Sequence, residues 1–139
     1  MNDALSFLPH GPEFRFLDHV VRLEPGRSGE GEYLVRGDEP FLKGHFPGQP
    51  MFPGVLLVEM AAQLAGVVAQ SDPSIPPLKG LKLTALRNVK IVGSAKPGQM
   101  IRVSAEITGR LDTLVQSRAL AYVGDNQILQ ADLVLSGEK

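Results

Sequence analysis

The chain has no cysteine, which excludes disulfide frameworks, thiolate nucleophiles and cysteine-held zinc or iron–sulfur centres. Histidine is scarce. Only His10, His19 and His45 are present, so a metal site would need carboxylates as further ligands. Neither sign of charge dominates: the formal net charge of -1 gives no whole-chain attraction to nucleic acid or to an anionic membrane. The first residues, Met1-Asn2-Asp3-Ala4-Leu5, lack the basic flank and apolar run of a signal peptide, so the expected location is the cytoplasm. The one long apolar stretch, Val55 to Ala69, contains Glu59 and Gln63. It is too short to span a bilayer comfortably and reads as a buried helix, without membrane insertion. Internal repeats and low-complexity segments are missing as well.

What is present fits one globular domain over residues 1–139, because 43% hydrophobic and 21% charged residues in 139 positions are ordinary for a single core. The small net charge hides a segregation. Residues 1–72 hold five Lys/Arg against ten Asp/Glu, whereas 73–105 hold six against none: Lys79, Lys82, Arg87, Lys90, Lys96 and Arg102. A charge run is ordinarily a solvated strand face; its functional reading is a docking patch for an acidic partner.

Eleven prolines and fifteen glycines punctuate the chain into short elements. Residues 15–23 and 31–36 read as strands around the turn Glu24-Pro25-Gly26-Arg27, and 38–54 as a long Gly/Pro-rich loop of the functional kind. A helix is expected from Pro53 to Gln70, since Pro suits a first helical turn and Gly66 is almost the only breaker. Strands follow over 79–92, 101–107, 113–123 and 129–135, where apolar positions alternate with polar ones. A helix that is apolar almost all round needs cover on most sides. Strands curling around it meet that need, which predicts an α+β domain with a bent antiparallel sheet.

The few polar groups of this helix fall on one line. At 100° per residue, Gln63 stands about 40° from Glu59 and Gln70 about 20°, with Gly66 about 20° to the other side. Apolar neighbours surround Glu59, so desolvation should raise its pKa unless a cation or several donors pair with it. A raised carboxyl is a proton donor near neutral pH; a structural Glu paired with a strand Arg is the plainer alternative. Upstream, Gly44-His45-Phe46-Pro47-Gly48 is a loop made flexible by Gly and stiffened by Pro, of the sort that positions a side chain. It leads to Phe52, near the helix mouth and expected at the substrate, and to Gly54 and Val55, the first free amides of the helix and a docking point for a polarised carbonyl oxygen. A base, an acid and an oxyanion donor are what elimination of water from a β-hydroxy thioester requires.

At these residues the sequence resembles the hotdog-fold β-hydroxyacyl-(acyl-carrier-protein) dehydratases of the FabZ type. The resemblance rests on Gly44-His45-Phe46-Pro47-Gly48, Pro50, Pro53-Gly54-Val55-Leu56, Glu59 and Gln63, and more weakly on Leu8-Pro9-His10, Asp18, Val20 and Lys96-Pro97-Gly98. It implies a hotdog fold, a long central helix wrapped by an antiparallel sheet, in a homodimer or a trimer of dimers. It also implies an active site between subunits, where His45 takes the α-proton and Glu59 of the other subunit assists loss of the hydroxyl. Gly54 N–H would hold the thioester carbonyl and Gln63 would orient Glu59, with no metal or organic cofactor. The implied partner is acyl carrier protein, which is acidic and gives the six basic residues a docking role. The chain departs from the family at Gly11-Pro12-Glu13, where Arg-Tyr-Pro is usual, at Met51-Phe52 in place of Val-Met, and at Arg87-Asn88-Val89-Lys90 in place of Ala-Arg-Phe-Lys. Two other readings stay open: an acyl thioesterase on the same fold, and an acyl-binding partner subunit without catalysis. The His45-to-Glu59 spacing argues against the first, and the presence of both residues against the second.

Overall fold

Alternating sequence becomes six strands in the computed structural model, which describes residues 2–139: β1 (His19–Glu24), β2 (Ser28–Leu34), β3 (Lys79–Ile91), β4 (Met100–Leu111), β5 (Leu114–Val123) and β6 (Asn126–Glu138). A short helix α1 (Pro40–Lys43) and a long one, α2 (Gly54–Gln70), separate β2 from β3. All strand pairs are antiparallel, in the order β1-β2-β4-β5-β6-β3. The chain thus leaves β2 near one edge, travels along α2 across the sheet, and returns as β3 at the other edge.

Burial follows the pleat. In β4, Ile101, Val103 and Ala105 are buried between exposed Met100, Arg102 and Glu106, and β5 repeats the pattern with Val115, Ser117, Ala119 and Ala121. These inner faces meet α2, of which Leu57, Val58, Met60–Ala65 and Val67–Ala69 are buried. Full burial of one large aliphatic side chain contributes about 1.5–3 kcal/mol, so the helix is a major source of stability. It approaches the sheet closely over β2, where a Cβ at Gly29 would stand 2.9 Å from Val68 Cγ2 of α2. A Cβ at Gly31 would instead meet Leu17 Cδ2, just ahead of β1, at 2.8 Å.

The helix ends at Gln70 as the sequence predicts and begins one residue later than expected, at Gly54, with Pro53 as its extended N-cap. Gln70 anchors the return loop, its Nε2 donating to Leu78 O (2.7 Å) and its Oε1 accepting from Leu78 N–H (3.1 Å). Two expectations are corrected. The first strand starts at His19 rather than at residue 15, because Phe16 N–H donates to Gln63 Oε1 of α2 and not to a strand. The 38–54 loop contains one helical turn, α1, begun by Pro40. Among the described residues no helix is long and apolar enough to cross a membrane.

Candidate active site

The loop before α2 closes on itself. Phe46 and Gln49 exchange backbone hydrogen bonds (3.1 and 2.9 Å), Met51 N–H donates to His45 O (2.8 Å), and Gly48 takes the positive φ of 77° that the turn requires. His45 stands at the neck of this turn, half-buried, its ring stacked on Phe46 at 4.2 Å between centroids. Its Nδ1 lies 3.0 Å from Met51 O. A carbonyl oxygen only accepts, so Nδ1 carries the hydrogen and the neutral ring presents a lone pair on Nε2.

From this turn the chain passes Phe52, whose N–H donates to Ala95 O (2.8 Å), and enters α2. Leu56 and Leu57 N–H both donate to Pro53 O, while Gly54 and Val55 N–H have no acceptor among the described residues. They lie at the positive end of the helix dipole. Val55 is 73% exposed. Phe52, expected at the substrate, is instead only 1% exposed and packed against Phe16, Tyr33 and Phe41 at 5.6–6.1 Å. Its size fills the core beneath the helix mouth, and it lines none of the cavities described below.

The polar stripe of α2 faces a cleft of about 530 Å³. Glu59, Gln63, Gly66 and Gln70 form its floor, Ser6–His10 one wall and Gly80–Leu83 of β3 the other. The apolar surroundings expected for Glu59 are not what it has: Gln63 donates to one carboxylate oxygen, and the His10 ring stands at ion-pair distance from the same atom. Gln63 Nε2 lies 3.0 Å and His10 Nε2 3.3 Å from Glu59 Oε2. Gln63 is 2% exposed and spends its remaining capacity on the segment ahead of β1, donating to Phe14 O (2.8 Å) and accepting from Phe16 N–H (2.9 Å). His10 had no assigned role in the sequence; its one signal was the Leu8-Pro9-His10 match. His45 does not line this cleft, and among the described residues no contact joins it to Glu59.

A second cavity, about 670 Å³, opens between Phe14–Asp18, Phe41 and Leu56. The Arg36–Asp18 ion pair (2.7 Å) lies at its rim, and Tyr33 hydroxyl donates to Glu39 Oε2 (2.7 Å). Burial first, and then the bond to Glu39, push the Tyr33 hydroxyl well above its ordinary range.

The six basic residues are all exposed but do not form one patch. Lys79, Lys82, Arg87 and Lys90 lie on β3, with Lys82 at the cleft, and Lys96 lies in the turn before β4. Arg102, on β4, is separated from β3 by β5 and β6 and stacks over Tyr122 at 5.3 Å. Arg87 stands opposite Asp132, whose carboxyl is held below its usual range by hydrogen bonds from Asn88 and Arg118.

The model of the FabA-like domain family matches residues 8–132. The chain is 37% identical over 134 residues to the 3-hydroxyacyl-[acyl-carrier-protein] dehydratase FabZ of Geotalea uraniireducens, covering 96% of this chain and 92% of that one. It is 34% identical to the enzyme of the same name from Syntrophotalea carbinolica, over 94% and 89% of the two chains. Among solved structures, the dehydratase heterocomplex ApeI:P from Xenorhabdus doucetiae superposes with a TM-score of 0.83 at 17% identity, over 98% of this chain and 91% of that one. Zebra fish thioesterase superfamily member 2 gives 0.71 at 14%, over 96% and 91%. At such identities these two likenesses are of the hotdog fold alone.

Proposed function

The chain belongs to the FabA-like family as a FabZ-type dehydratase, and on that premise we propose which of its residues carry out the reaction. It is a hydro-lyase that removes water from a 3-hydroxyacyl thioester of acyl carrier protein, giving the trans-2-enoyl thioester in fatty-acid biosynthesis. His45 Nε2 takes the α-proton, and Gly54 N–H, with Val55 beside it, holds the thioester oxygen as negative charge develops there. Glu59 delivers a proton to the departing hydroxyl, which leaves as water. The steps use protein groups alone.

The observation that carries these assignments is the bond between His45 Nδ1 and Met51 O, because it gives the ring its one basic nitrogen in a loop that leads straight into the free amides of α2. Loss of either reacting group, as His45→Ala or Glu59→Gln, should lower turnover of a 3-hydroxyacyl carrier protein by about 10²–10⁴-fold, read as enoyl product by mass spectrometry. Full activity in either variant contradicts its role. Release of free thiol without enoyl product would favour the thioesterase reading.

The active unit in this proposal is a homodimer, alone or within a trimer of dimers, with His45 of one subunit facing Glu59 of the other. Two features support it. His45 and Glu59 make no contact within one chain, and β3 is an edge strand of 13 residues along the cleft with Leu86, Val89 and Ile91 exposed; such an edge is a template for pairing with a second copy. The acidic carrier then meets the basic side chains of β3, which act mainly by steering. Its place of work in this proposal is the cytoplasm.

A further inference from the structure

His10 and Gln63 both stand beside one oxygen of Glu59 and leave the other alone. Both Nε2 atoms stand at Oε2, at 3.3 and 3.0 Å, while Oε1 has no partner among the described residues and is not sealed from the cleft. A protonated carboxyl accepts through its carbonyl oxygen and donates through its hydroxyl. When the carboxyl carries a proton, the Gln63 donor on Oε2 makes that atom the carbonyl oxygen and leaves Oε1 for the hydroxyl.

The surroundings of His10 fit the task. A hydrogen on Nε2 has Glu59 to receive it, whereas Nδ1 is buried with no partner; a hydrogen there would be a buried unpaired donor, so the neutral ring carries its hydrogen on Nε2. The backbone is held by Arg15 Nε, which donates to His10 O at 3.0 Å, and the ring stacks on Phe14 at 6.0 Å between centroids and 21° between planes. Phe14 O in turn accepts from Gln63. His10, Phe14 and Gln63 therefore fix one another as well as Glu59.

We infer that His10 is a positioning residue of the dehydration reaction, which with Gln63 holds Glu59 Oε2 so that the proton-bearing Oε1 faces the hydroxyl of the substrate. This rests on the acid role of Glu59 proposed above. No proton leaves His10: in the step itself the Oε1–H bond breaks, the bond between Cβ and the hydroxyl oxygen breaks, and water forms.

Two replacements separate the hydrogen-bonding role from packing. His10→Phe keeps a ring against Phe14 and removes the donor; His10→Gln returns a neutral donor of similar reach and removes the ring. With a 3-hydroxyacyl carrier protein as substrate, His10→Phe should lower kcat about tenfold or more with KM little changed, and His10→Gln should stay within about threefold of the parent. Melting temperatures taken on the same samples report folding separately. Unchanged kcat in a folded His10→Phe protein overturns the inference, as does an equal loss in both variants. Glu59→Gln is run alongside: if it abolishes turnover while His10→Phe does not, only the positioning role fails, and if it leaves turnover intact the acid assignment fails and the positioning role with it.

Discussion

Gln63 shows how much one side chain can organise. It is buried in α2 and satisfied on every side: Phe14 O and Glu59 Oε2 accept from its amide nitrogen, and Phe16 N–H donates to its oxygen. Gln63→Leu would leave Phe16 N–H and Phe14 O without their partners, at a cost of about 1–3 kcal/mol for each buried group. Urea denaturation should show that loss, together with a fall in kcat because Glu59 is released on one side. Unchanged stability would mean that water replaces the amide. Glu59 and Gln63 were legible in the sequence because helical periodicity is local: four residues apart, they must share a face. His10 was not. Its meeting with Glu59 depends on the N-terminal segment folding back over α2, which no spacing encodes.

At the scale of elements, α2 and the strands after it were readable because apolar patterning and Pro/Gly punctuation mark them locally. The start of β1 was not, since Phe16 has strand character in sequence and is diverted by a tertiary bond to α2. Phe52 was misplaced for a similar reason: position beside the helix mouth is local, but the aromatic cluster that encloses it is assembled from Phe16, Tyr33 and Phe41. The link between β2 and α1 is held by Glu39, which accepts from Tyr33 hydroxyl, Arg36 N–H (3.1 Å) and Gly37 N–H (2.7 Å). Burial alone would raise its pKa, but the bonds from Tyr33, Arg36 and Gly37 outweigh burial and hold it below the ordinary 4.5. A depressed folded-state value means that the stabilisation is complete above the unfolded value and is lost as pH falls through the folded one. Glu39→Gln should therefore melt below the parent at neutral pH, with the gap narrowing below about pH 4. A gap of constant size across that range would show that the charge on Glu39 contributes nothing.

For the whole molecule, the near-zero net charge says less than its distribution. Four of the six basic residues run along β3, the open edge beside the cleft, while Arg102 is three strands away on the outer face of the sheet. The sequence showed that the segment is basic, but strand order decides which cations act together. In the proposed dimer the same edge meets the second copy; within one chain His45 and Glu59 each have their own supports, Met51 for one and His10 with Gln63 for the other, and no contact with each other. Refolding His45→Ala and Glu59→Gln chains together tests whether the site is shared between two copies. Each variant alone should be nearly inactive. In the mixture, random pairing makes half of the dimers mixed, each with one intact site out of two, so about a quarter of parental turnover should return. A mixture that contains mixed dimers and stays as inactive as its components would contradict the account.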